Sequence, residues 1–62
     1  MDQDLGPEAG ALGDMLRRQH PAMKCEVRVA TRRRLEVVVQ EGRTSVVPRS
    51  WHGIRVDVSR AR

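Results

Sequence analysis

The feature that most constrains this chain is a change of apolar period at Pro21. Before it, Leu5, Ala9, Leu12, Met15, Leu16 and Gln19 recur every three or four residues, the spacing of one helical face. Gly6-Pro7-Glu8 suits a helix start, since proline fits the first turn and an acid favours the positive end of the helix dipole. Arg17 and Arg18 fall where cations suit the negative end, and His20, standing before proline, is biased out of helical angles. Gly10 and Gly13 each weaken such a helix by about 1 kcal/mol relative to alanine. It must therefore be held by packing of its stripe Leu12, Met15 and Leu16.

After Pro21 the period is two. Cys25, Val27 and Val29 alternate with Lys24, Glu26 and Arg28; Leu35, Val37 and Val39 alternate with Arg34, Glu36 and Gln40; Ile54, Val56 and Val58 alternate with Arg55, Asp57 and Ser59. Each run predicts a half-buried strand, and Val38 is the one apolar residue on a polar face. Ala30 to Arg33 is short enough for a hairpin link but lacks the Gly or Asn of the tightest turns. Glu41-Gly42-Arg43 is a better turn, Thr44 to Val47 suggests a short third strand ended by Pro48, and Pro48 to Gly53 is expected to turn. The sum is an α+β domain: an N-terminal amphipathic helix packed on a three- to four-stranded, largely antiparallel meander.

The expected core is Leu12, Met15, Leu16, Cys25, Val27, Val29, Leu35, Val37, Val39, Val47, Trp51, Ile54, Val56 and Val58. It contains no Phe or Tyr, and 62 residues allow a single small core of this kind. A chain so thinly supplied is expected to gain from a protein partner or from self-association, through a strand edge or the Val38 face.

Charge divides the chain differently. Residues 1–14 hold Asp2, Asp4, Glu8 and Asp14 and no base, a sum of −4, whereas residues 15–62 hold twelve bases against four acids, a sum of +8. The formal net charge of +4 thus hides a basic body behind an acidic head. The expected organisation is an acidic flexible arm over residues 1–5, one domain over 6–58, and a basic frayed tail over 59–62. In the free state the head is expected to lie over the basic face. The longest apolar run, Val37 to Val39, is far too short to span a bilayer, and no signal-peptide pattern opens the chain, so a cytoplasmic location without membrane contact is expected.

Catalytic and metal chemistry find little support. Cys25 lies in phase with Val27 and Val29, which suits a small buried hydrophobe better than a nucleophile served by His20 or His52. Those three residues match no paired zinc spacing, so neither metal nor cofactor is expected, nor a small-molecule substrate. The bases offer more. Eleven of the twelve are arginine, the residue suited to bidentate phosphate contacts, and Arg32-Arg33-Arg34 sits on the expected hairpin. A non-enzymatic module for a polyanion, most naturally nucleic acid, is the leading expectation. Arg32, Arg33 and Arg34 would be its main phosphate contacts, with Arg17, Arg18 and Arg49 in support. Trp51 beside Arg49 and His52 would either stack on a base or plug the core. The alternative is a protein-interaction or regulatory subunit that homo-oligomerises or pairs through a sheet edge.

The stretch Glu41-Gly42-Arg43-Thr44-Ser45-Val46-Val47-Pro48-Arg49, behind a helix and a hairpin, is locally similar to the small toxin ribonucleases of the HicA type, whose fold resembles double-stranded RNA-binding domains. That family carries a catalytic His on a strand after a Gly-Ser pair, where this chain has Ala30 to Arg34 without a histidine. It also ends in a helix, where Ile54 to Val58 alternates as a strand. The likeness covers about nine residues, and no catalytic site is carried over from it.

Overall fold

A computed structural model describes residues 5–61. Helix α1 (Gly6–Gln19) is followed by strands β1 (Lys24–Thr31) and β2 (Arg34–Glu41), a 3₁₀ turn (Thr44–Val46), and strands β3 (Ser50–Trp51) and β4 (Ile54–Arg60). The four strands form one open sheet in the order β1-β2-β4-β3, with α1 on one face, so the α+β architecture is the expected one. The connectivity is not a meander. β1 pairs antiparallel with β2 and β3 antiparallel with β4, but β2 and β4 are parallel neighbours. Parallel neighbours need a long crossover, and the dozen residues 42–53 supply it. Thr44 to Val46 therefore winds as a 3₁₀ turn instead of a third strand, and the segment expected to turn after Pro48 contributes the short strand β3.

Local chemistry sets the helix ends only in part. Leu5 occupies the cap position and offers no side-chain hydrogen bond there; its carbonyl accepts the Ala9 N–H at 2.8 Å. At the other end the His20 N–H donates to the Leu16 carbonyl at 2.8 Å, and Met23 N–H to the His20 carbonyl at 2.9 Å, turning the chain into β1. Packing does the rest, since Leu12 and Leu16 are fully buried.

Register aligns the apolar residues in rows under α1: Cys25 with Val39, Val27 with Val37 and Val58, Val29 with Leu35 and Val56. Leu35, Val37, Val39 and Val56 are fully buried; Met15, Cys25, Val27, Trp51, Ile54 and Val58 pack around them half-buried. Val29 departs from the expected core at 46% exposure. It lies on the outermost strand with one neighbour, and α1 crosses β1 further back, where Gly13 faces the Val27 side chain. Two residues outside the expected core belong to it. Leu5, assigned to the flexible arm, is buried, and Met23 is buried beneath Gly42. A Cβ on Gly42 would stand 2.7 Å from Met23 Cγ, so that close approach requires glycine.

The assignment of residues 59–62 as a tail is also revised. Ser59 and Arg60 lie within β4, opposite Val38 and Val39, because the parallel pairing extends along β2. The Ala61 N–H donates to the Val39 carbonyl, and the Arg60 guanidinium donates to the Gly42 carbonyl, which fastens the strand end to the crossover. The remaining residues of the arm, 1–4, and the last residue of the tail lie outside the described residues, and with them any contact of Asp2 or Asp4 with the basic face; Asp14, from the same acidic head, pairs with Arg17 along α1.

Candidate functional site

Two turns meet at one end of the sheet. The first is Arg32-Arg33, joining β1 to β2, where the Arg33 N–H donates to the Thr31 hydroxyl at 3.3 Å. The second is His52-Gly53, joining β3 to β4 between the paired residues Trp51 and Ile54. His52 has φ +51° and Gly53 φ +78°, the positive values that a two-residue type I′ turn needs at both central positions. Because β4 lies beside β2, the Arg55 N–H reaches the Arg33 carbonyl at 3.3 Å and ties the two turns together. The result is a cleft of about 310 Å³ lined by Arg32, Arg33, His52, Gly53 and Ile54. Neither turn contains an acid.

Behind this tip lies the polar face of the sheet, the face without a helix. Arg34 and Arg55 are direct cross-strand partners there, and both guanidiniums contact the Asp57 carboxylate at 3.1 Å. Further along, Arg28 pairs with Glu26 at 2.9 Å and stands opposite Glu36. Acids and bases alternate along each strand, and although β2 and β4 set like charges side by side (Arg34 with Arg55, Glu36 with Asp57), diagonal contacts such as Arg34 to Asp57 leave the face nearly self-neutralising. Among the described residues no ion pair involves Arg33, Arg18, Arg43 or Arg49.

The structure brings Arg32, Arg33 and Arg34 to one end and sets Arg49 beside the edge strand, where its carbonyl accepts the Val56 N–H at 3.0 Å. Arg17 and Arg18 stand apart on α1. Arg17 is paired with Asp14 and lies near Cys25, and Arg18 shares an open cleft with Ala11, Asp14, Met15 and Trp51. His52 and Arg55, which join the tip, were not among the residues expected as main or supporting phosphate contacts. The clue was His52-Gly53 between two apolar residues, a two-residue link ending in glycine.

Trp51 is half-buried against the core, with the His52 ring set edge-on at 4.7 Å. Its indole N–H is buried and finds no acceptor among the described residues. Burial pushes the Cys25 thiol above its ordinary range, with Arg17 pulling it partly back, so the thiol is protonated at neutral pH. His20, Cys25 and His52 line three different clefts, which leaves the thiol without a histidine base. Among the described residues no three His, Cys, Asp or Glu side chains gather to hold a metal, and no helix is long and apolar enough to cross a membrane. Comparison with known proteins gave no match: no family model, no curated protein and no solved structure corresponds to this chain.

Proposed function

We propose that the chain is a small, cytoplasmic, non-enzymatic binding module for a polyanion, with nucleic acid as the partner that best fits. The supporting observation is the meeting of two acid-free turns, which places Arg32, Arg33 and His52 on one cleft with Arg34 and Arg55 directly behind. Arginine is the side chain suited to bidentate phosphate contact, and a projecting turn is a shape that enters a groove. Arg32 and Arg33 make the leading phosphate contacts. Arg34 and Arg55 lend charge but share it with Asp57. Arg49 supports the tip from the β3 side, and Arg17 and Arg18 form a secondary basic surface on α1.

A salt titration with duplex DNA and with RNA tests this reading. Phosphate contacts release counterions, so the logarithm of affinity falls linearly with the logarithm of salt concentration, by about 0.9 per neutralised phosphate on duplex DNA. The tip's arginines predict a slope between about −2 and −4. Absence of binding at about 50 mM salt, or a slope near zero, overturns it.

A further inference from the structure

β1 is the outermost strand of the sheet and eight residues long, with no strand on its far side among the described residues. Its ladder to β2 is irregular between Lys24 and Cys25 and again between Val29 and Thr31, and regular over the five residues between them. Exposed edges are usually blunted by proline, by charged side chains, by an inward-pointing charge or by a bulge, and β1 carries Lys24, Glu26 and Arg28 on its outer face. The bulges here lie at the two ends, and the regular segment carries neither proline nor a charge on its inner face. That segment is Cys25-Glu26-Val27-Arg28-Val29, and it is complementary to itself when turned about Val27.

We propose that the β1 edge pairs with a second copy of this chain, antiparallel, with the two-fold axis at Val27. The register follows from the residues. Glu26 faces the partner's Arg28, Arg28 faces the partner's Glu26, Val27 faces its own copy, and Cys25 faces the partner's Val29. A two-fold axis on a residue gives the same pairs in a hydrogen-bonded and in a non-hydrogen-bonded setting, so the match does not depend on which groups of Val27 point outward. Opposite charges directly across an antiparallel pair are favourable, and like charges there are unfavourable. Here both polar pairs are opposite. The arrangement also covers Val29, the one large hydrophobic residue left exposed among the described residues.

The layer above the sheet is compatible with this approach. A groove of about 390 Å³ lies between α1 and the edge strand β1, lined on the helix by the small residues Gly6, Ala9, Gly10 and Gly13 and by Arg17. A Cβ on Gly10 would meet nothing within 4 Å. The second copy's helix therefore meets small residues over Gly6 to Gly10, while Arg17 occupies the other end of the groove beside Gly13. One sheet of eight strands results, and the dimer is independent of whether the tip binds nucleic acid.

Mass and cross-linking test the proposal together. The wild-type chain is expected to sediment at twice its 7.0 kDa at high micromolar concentration. Glu26→Arg sets arginine against the partner's Arg28 twice per dimer and is expected to weaken association on the order of tenfold or more. The double variant E26R/R28E restores opposite charges across the edge and recovers association, while its new acid at position 28 stands opposite Glu36 in monomer and dimer alike. Independently, Val29→Cys sets a thiol opposite the partner's Cys25, and oxidation is expected to give a covalent dimer. The two thiols of one chain stand four residues apart along a strand, about 13 Å, too far for an internal bond. C25A/V29C removes the opposing thiol and is expected not to cross-link. A wild-type mass of 7.0 kDa, E26R association equal to wild type, or equally rapid cross-linking of V29C and C25A/V29C each overturns the proposal.

Discussion

The tip and the polar face of the sheet are both rich in arginine, yet they are built for opposite ends. On the face, Arg28, Arg34 and Arg55 alternate with Glu26, Glu36 and Asp57, and each guanidinium lies on a carboxylate. At the tip, neither of the two turns that line the cleft holds an acid, and among the described residues no ion pair involves Arg33. The count of arginines in the chain says little about this difference. What separates the regions is the placement of the acids: period-two alternation interleaves them with bases on the strands, and the turns interrupt the alternation. Exposed pairs of the strand type contribute at most about 1 kcal/mol each to stability, so they are better understood as screening the face than as holding the fold.

The largest expected effect removes both regions at once. Leu12 is fully buried over the sheet, and Leu12→Ala should cost about 2–5 kcal/mol in a thermal or urea melt. In so small a domain that approaches the whole of the stability, and a variant with an unchanged melting midpoint would contradict the packing described here. Gly53→Ala separates the regions. The positive φ at Gly53 costs a residue with a side chain about 1–2 kcal/mol, strain confined to the tip. Weaker polyanion binding is expected, with hydrogen exchange protection of β1 and β2 retained.

Asp57→Asn acts in the other direction, since it frees Arg34 and Arg55 to behave as tip residues. Affinity for duplex DNA should rise a few-fold and the salt slope steepen by up to about one phosphate equivalent, at a stability cost under about 1 kcal/mol. A fall in affinity would show that Asp57 holds the two arginines for binding. The smallest effect is a pH dependence. Burial raises the Cys25 pKa in the folded chain above its unfolded value, so folding favours the protonated thiol. That contribution is complete below the unfolded thiol pKa and disappears as pH rises through the folded one. Melts across the alkaline range should therefore decline slightly more in the wild type than in Cys25→Ala.

Most of the face assignment was legible in the residues. The period switch at Pro21 located α1, and alternation located β1, β2 and β4 with the correct residues inward. Neighbour relations were not legible, because alternation states which side of a strand is apolar and is silent on which strand lies beside it. The parallel pairing of β2 with β4 is a property of the crossover 42–53, and with it came the loss of a third strand at Thr44–Val46 and the gain of β3. The site divides along the same line. Arg32, Arg33 and Arg34 are contiguous, so their meeting needed only a hairpin. His52 and Arg55 reach the tip through a pairing between strands distant in sequence, and Val29 is exposed for the matching reason that β1 ended up at the edge.

The most direct test of the difference between the two regions compares salt slopes for duplex DNA in the wild type, in R32A/R33A and in Arg28→Ala. If the tip makes the phosphate contacts, R32A/R33A lowers the slope by about 1.8 while Arg28→Ala leaves it near the wild-type value. Equal changes in the two variants, or a slope unmoved in R32A/R33A, would contradict the tip as the binding region.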